Sequence, residues 1–247
     1  TSFQRHTSHT PEDARSQDVG SSGASSSSSR FATRRSGSFV NVSKYIIDPR
    51  RALHRYFVFF LACLFIPGPY FHDVMLGAYK AQICAPDALD ISSTTFSWLF
   101  GLPAAMGAFS GPMASVVARW GDARSSFVAG GLTFLASVGV VVCLENRAFF
   151  AMLVFRLLFW LGLFMLMALQ TCVSYKLFAG PELTVAMGFI IFACRAGGMT
   201  GFMLSGFLLK ISRHRAVAAL WFSVALVGAA AAATTLFAYL RGGTATA

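Results

Sequence analysis

Charged side chains are scarce in this chain of 247 residues. Asp, Glu, Lys and Arg together make up 12% of the residues, whereas hydrophobic residues make up 55%. Soluble globular domains carry about 25% charged residues, so the composition excludes an ordinary soluble domain. The apolar residues lie in long runs, and this favours several membrane spans.

Acidic residues are rarer than basic ones, with 10 Asp and Glu against 20 Lys and Arg. Away from the ends of the apolar runs, the Asp, Glu and His residues are limited to His72 and Asp73. No His/Cys spacing suits a metal, and no glycine-rich phosphate loop follows a strand. We therefore predict that the protein is not an enzyme and carries neither a metal nor a cofactor.

Cysteine gives no sign of a disulfide framework. Four of the five cysteines fall inside apolar runs, where they behave as small hydrophobic residues, and no CxxC pair is present. The five are Cys63, Cys84, Cys143, Cys172 and Cys194.

Residues 1–43 are rich in Ser, Thr, Arg and Gly, and we predict a disordered cytosolic tail. Phosphorylation of its serines is one interpretation, and a solvated tether is the other. The tail holds no apolar segment, so we predict no cleavable signal peptide.

Nine of the 20 basic residues precede the first apolar run. This distribution indicates a basic patch that faces anionic lipid rather than nucleic acid. Such a patch predicts that the amino terminus is cytosolic. We expect the protein to lie in either the plasma membrane or an endolysosomal membrane. The nine residues are Arg5, Arg15, Arg30, Arg34, Arg35, Lys44, Arg50, Arg51 and Arg55.

Residues 44–247 are predicted to form an all-α bundle of six transmembrane helices. Each apolar run is long enough, at 1.5 Å per residue, to cross about 30 Å of hydrocarbon. Short polar turns with N-cap residues separate the runs and leave no room for a soluble domain. The predicted spans cover residues 54–80, 93–118, 126–144, 148–175, 183–209 and 216–240.

The first span is interrupted by Ile66-Pro67-Gly68-Pro69, which must break or bend its hydrogen-bond ladder. Tyr70, His72 and Asp73 follow the break. Irregular backbone at membrane depth requires cover from protein or a water-filled cavity, so this span is a candidate for lining a cavity. In the alternative interpretation the bilayer ends near Pro67, and residues 70–80 form a surface turn.

Arg156 and Arg195 lie well inside predicted spans. Each would cost roughly 3 kcal/mol at the bilayer centre, so each must have a role. Arg195 lies near the midplane, where its guanidinium suits a carboxylate or phosphate. We predict that Arg195 binds substrate or pairs with Asp73. A structural arginine is the alternative, and Arg156, nearer its helix end, suits that role better.

Gln170 follows Arg156 by 14 residues, which returns the helix to within about 40° of the same face. The two side chains are therefore predicted to line one side of a path, although Gln170 could equally serve as interhelical glue. Tyr70 is predicted to line the same path. The predicted substrate-binding set is Arg195, Gln170, Tyr70, Asp73 and Arg156.

The turn between the second and third runs resembles the loop G-x-x-x-D-R-x-G-x-R-R of the major facilitator superfamily. Arg119, Gly121 and Arg124 match this loop, whereas Ala114, Ala118 and Ala123 replace its first Gly, its Asp and one basic residue. In the fourth run, Arg156 and Gly162 match the R-x-x-Q-G-x-G pattern of the superfamily, with Trp160 in place of the first glycine.

The resemblance covers residues 56–240 and implies the amino-terminal half of a twelve-helix transporter, built from two inverted three-helix repeats. Within the superfamily, the interrupted first span and Arg195-Ala-Gly197 are most similar to the lysosomal dipeptide transporters. That family implies a dipeptide-binding arginine at Arg195, but Phe164 stands where its acidic residue is expected.

The resemblance implies transport of a small organic solute, such as a dipeptide, an amino acid or another carboxylate, by alternating access. Arg119, Gly121 and Arg124 would form a cytosolic gating loop. The expected partners are the substrate, the lipid bilayer and a second six-helix half, on the same full-length chain or on another protomer, with no nucleic acid. Two alternatives remain: an accessory or scaffold protein that transports nothing, and a carrier of sugars or other neutral solutes.

Overall fold

The computed structural model describes residues 52–86, 88–212 and 215–243, and within these ranges it is helical with no strand. The predicted disordered tail over residues 1–43 lies outside these ranges. The helices are α1 (Ala52–Cys63), α2 (Pro67–Ala78), α3 (Lys80–Ile83), α4 (Ser93–Ala105), a 3₁₀ turn (Met106–Phe109), α5 (Ser110–Trp120), α6 (Asp122–Glu145), α7 (Phe149–Leu177), α8 (Pro181–Ile211) and α9 (Ala216–Gly243).

Five of these stretches are long and apolar enough to cross a membrane, and a bent pair of helices makes a sixth. We number the stretches in chain order: span 1 is α1 with α2, span 2 is α4 with α5, and spans 3 to 6 are α6 to α9. These stretches lie at the positions of the six predicted spans, and the prediction of an all-helical chain with several membrane-length apolar helices is confirmed for the described residues.

Span 1 breaks where the sequence predicts. Pro67 and Pro69 have no amide hydrogen, so the helical ladder is interrupted and residues 64–66 form turns. Leu64 and Phe65 donate instead to carbonyls three residues back, Leu61 O at 3.1 Å and Ala62 O at 3.2 Å. The helix restarts at Pro67, and its residues pack in the core. The alternative of a surface turn over residues 70–80 is therefore wrong.

Span 2 differs from the single straight helix predicted over residues 93–118. Its two helices are bent by 61° at the 3₁₀ turn. Pro103 lies inside α4, and Pro112 near the start of α5 has no amide hydrogen for the carbonyl four residues back. The start of the span agrees with the sequence, because the Ser92 hydroxyl caps the helix by accepting from Thr95 N at 3.1 Å.

The core consists of two apolar clusters that meet near the break in span 1. The first contains buried side chains of α1, of the turns that follow it and of α7, including Phe65 and Leu169. The second contains the buried side chains of α2, α3 and the later part of α6, including Met75 and Val140. The break therefore lies between two packed layers.

Gly197 permits the close approach of span 5 to span 1. A Cβ at this position would lie 2.6 Å from both the Cα and the carbonyl oxygen of Pro67, and neither backbone atom can move aside like a side chain. Gly188 is on the same helix with nothing within 4 Å of such a Cβ.

We expect Gly197→Ala to destabilise the fold by about 1–3 kcal/mol because of overpacking. Gly188→Ala should stabilise it by up to about 1 kcal/mol, since alanine is the better helix former. Unfolding in mixed SDS and dodecylmaltoside micelles measures both values. Equal effects of the two substitutions would show that spans 1 and 5 do not pack closely at Pro67.

Candidate functional site

A cavity of about 290 Å³ lies between spans 1, 4 and 5, and we call it the arginine cavity. Three residues of the predicted substrate-binding set line it: Tyr70 from α2, Gln170 from α7 and Arg195 from α8. Apolar and weakly polar side chains complete its wall. These are Ile66, Met167, Thr171, Met187, Ile190, Ile191 and Cys194.

The break in span 1 positions Gln170. In a regular helix the Ala62 carbonyl would accept from Ile66 N, but at the break it accepts from Phe65 N at 3.2 Å. The same carbonyl accepts from Gln170 Nε2 at 3.1 Å. The Gln170 side chain is only 1% exposed, and its Oε1 has no hydrogen-bond partner in the described ranges. The residue therefore both forms a hydrogen bond between two helices and contributes to the cavity wall.

Arg195 lines the cavity and is an exposed residue, which suits contact with a solute. Tyr70 of the cavity wall precedes Asp73 by three residues in α2, and Asp73 belongs to a second polar cluster in the bundle.

Asp73 and Arg156 form the ion pair of that second cluster. The prediction had offered Arg195 as the partner of Asp73, but the structure joins Arg156 Nη2 to Asp73 Oδ1. The Arg156 side chain is 0% exposed, whereas that of Asp73 is 17% exposed. Arg156 Nε also donates to Leu99 O at 3.3 Å, and the guanidinium lies 5.0 Å from the ring centre of Phe100.

This pairing places Arg156 and Asp73 away from the wall of the arginine cavity. The prediction that Arg156 and Gln170 line one path is wrong, because two residues on one face of a helix can still be far apart along its axis. Fourteen residues at 1.5 Å each separate them by about 21 Å, so they occupy different layers of the bundle.

His72, next to Asp73, is also fully buried. Its Nδ1 lies 2.8 Å from Ser223 Oγ of span 6, and its ring centre is 5.3 Å from that of Phe159. No sequence pattern points to Ser223, because a serine in an apolar helix is common and its partner is 151 residues away.

The predicted gating residues Arg119, Gly121 and Arg124 are exposed at the turn between α5 and α6. Gly121 has a φ of 80°, a left-handed conformation that glycine adopts without strain. The ion pair of this turn joins Asp122 to Lys176 at 2.6 Å, at the end of span 4. The turn is therefore tied to span 4 through a carboxylate that the sequence analysis did not single out.

A second surface ion pair links the first and fifth spans, with Arg55 Nη2 at 3.0 Å from Glu182 Oε2.

No group of three or more His, Cys, Asp or Glu side chains suited to a metal occurs in the parts of the chain that the structure describes.

The geometry thus offers one cavity with a cation, a buried amide oxygen and a phenol, beside a buried ion pair. Such a site can bind a small anion, and nothing in it forms a nucleophile with an adjacent base. Comparison of the chain with protein-family models, with curated proteins and with solved structures gives no match.

Proposed function

We propose that this chain is the amino-terminal six-helix half of a major facilitator type transporter that moves a small organic anion, such as a carboxylate, across a membrane. The observation that carries the proposal is the arginine cavity. Arg195, Gln170 and Tyr70 come from three spans and converge on one accessible space. Intramembrane cations of this kind usually mark a solute path.

The neighbours of each helix support an internal repeat. Among the extensive contacts, span 1 packs on spans 5 and 6, span 4 on spans 2 and 3, and span 3 on span 6. Exchanging spans 1, 2 and 3 with spans 4, 5 and 6 reproduces this set of pairs. Two inverted three-helix repeats would give such a pattern, and transporters with this design bind solute near the bilayer midplane.

In the proposed mechanism, the guanidinium of Arg195 holds the anionic group of the solute, while Gln170 and Tyr70 line the path. A second six-helix half closes the remaining side of the cavity. Rocking of one half against the other would then expose the cavity to the two sides of the membrane in turn. The turn with Arg119, Gly121 and Arg124 would contact the second half at the cytosolic face.

Span 5 supplies a surface for that second half. Only 17% of its most apolar window is buried inside the bundle. Large apolar side chains such as Phe192, Phe202 and Met203 are 66–73% exposed. The accessory hypothesis uses the same surface as a docking face for another membrane protein, with no solute involved.

Solute counterflow separates the two hypotheses. The natural protein that contains this chain is reconstituted in liposomes preloaded with a panel of unlabelled carboxylates, amino acids or dipeptides, and entry of a trace of the labelled solute is followed. We expect a transient accumulation, because a carrier exchanges one bound solute for another. Correctly folded protein that shows neither counterflow nor net uptake of any panel member would support the accessory role.

Neutral sugars belong in the same panel. Accumulation of a sugar with no anion accepted would contradict the assigned role of Arg195 and favour the neutral-solute alternative.

A further inference from the structure

The Gln170 amide has a single allowed orientation. Its Nε2 lies 3.1 Å from the carbonyl oxygen of Ala62, which can only accept a hydrogen bond. The NH₂ group must therefore face Ala62, and Oε1 must face the other way. The orientation of this acceptor follows from the break in span 1 and does not depend on a bound solute.

Oε1 of Gln170 is a buried acceptor without a hydrogen-bond partner in the described parts of the chain. Such atoms are rare in folded proteins, and each calls for an explanation. The neighbouring Thr171 does not supply the missing donor, since its hydroxyl donates to Met167 O at 3.0 Å in its own helix. Gln170 belongs to the wall of the arginine cavity, so a molecule bound there can supply the missing donor.

The cavity is small. Its volume of about 290 Å³ is close to the lower end of the range for small-molecule sites, about 300–1,000 Å³. A solute of this size that touches the guanidinium of Arg195 also lies close to the other polar groups of the wall.

We propose that Gln170 determines the specificity of the cavity by accepting a hydrogen bond from the solute. The transported anion is then a carboxylate that also carries an O–H or N–H donor, as α-hydroxy and α-amino acids do. This inference rests on the proposed transport function, and it names the class of solute at the same site. An anion without a donor binds Arg195 but leaves the Gln170 oxygen unpaired and cut off from water.

The test compares pairs of acids that differ by one hydroxyl group: lactate with propionate, and 3-phenyllactate with 3-phenylpropionate. Uptake into proteoliposomes that hold the natural protein gives kcat/KM for each acid. We expect a preference of about 10- to 100-fold for the hydroxy acid, the range that follows from leaving one buried acceptor unpaired.

Gln170→Met removes the acceptor and keeps the length of the side chain. We expect the ratio of kcat/KM for the two acids of each pair to fall to within about 2-fold of unity, because the variant has no acceptor that distinguishes them. Because the ratio is measured within each variant, differences in expression and in the folded fraction cancel. Gln82→Met is the matched control, since Gln82 lines a different cavity with Glu145 and Arg215; the preference should persist in it.

Equal uptake of both members of each pair by the unaltered protein would overturn the inference, with an ordered water as the partner of Gln170 instead. Persistence of the preference in Gln170→Met would also overturn it. Either result leaves the transport function standing. Uptake of no acid at all would instead overturn the transport function, and the inference with it.

Discussion

Replacing Arg195 by Ala is expected to lower the kcat/KM for anion uptake by about 100-fold or more. Arg195 is exposed in the described bundle, and the proposed second half would desolvate its pair with the bound anion. Loss of one partner from such a pair costs about 2–5 kcal/mol, and 100-fold corresponds to about 2.7 kcal/mol. Arg195 is the single charged side chain in the wall of the arginine cavity, as far as the described residues show. No neighbouring cation of that wall can replace it. Uptake of labelled substrate into proteoliposomes measures the effect.

Two further variants separate loss of binding from loss of folding. Arg195→Lys keeps the charge but loses the planar fork, so it should retain partial activity. Lys210→Ala removes a positive charge from the exposed end of the same helix, and its uptake should match that of the unaltered protein. Equal uptake by Arg195→Ala and Lys210→Ala would contradict the role of Arg195 as an anion site.

Asp73→Ala is expected to destabilise the bundle by about 3–5 kcal/mol, because it leaves the buried charge of Arg156 without its carboxylate. Arg156 is 0% exposed, and its Nη1 has no hydrogen-bond partner in the described ranges even with Asp73 present. The remaining contacts of the guanidinium are the Leu99 carbonyl and the aromatic rings of Phe100 and Phe159. Reversible unfolding in SDS and dodecylmaltoside micelles measures the change.

Glu182→Ala is the matched control, because it removes the carboxylate of an exposed pair. Arg55 and Glu182 are 36% and 54% exposed, so their pair is worth about 0.2–1 kcal/mol. In the double variant Asp73→Leu/Arg156→Leu both charges are gone, and most of the lost stability should return. A cost for Asp73→Ala as small as that for Glu182→Ala would contradict a structural role for the buried pair.

The positions of the membrane-length stretches could be predicted from the sequence because hydropathy is a local property, and so could the break in span 1. Pro67 and Pro69 remove two amide donors wherever the chain lies, so the break in span 1 could be predicted without any tertiary information. The 61° bend of span 2 was missed for a different reason. Pro103 and Pro112 mark two weak points in the helix, but the continuous high hydropathy around them favours one uninterrupted span.

Partners between helices could not be assigned from the sequence. Asp73 had two arginines available, Arg156 and Arg195, and the choice depends on how span 1 packs against spans 4 and 5. Tyr70, Gln170 and Arg195 were each assigned to a path on their own merits. Their convergence on one cavity depends on how three helices pack, and the spacing of residues within one helix does not predict it.

The double use of the Ala62 carbonyl links the shape of span 1 to the chemistry of the cavity. This oxygen accepts from Phe65 within the break and from Gln170 of span 4. If the angle between α1 and α2 changes, the carbonyl rotates and the amide of Gln170 must turn with it. A solute held by Gln170 opposes that rotation. Occupancy of the cavity would therefore make span 1 more rigid at residues 64–66, where its helical hydrogen bonds are interrupted.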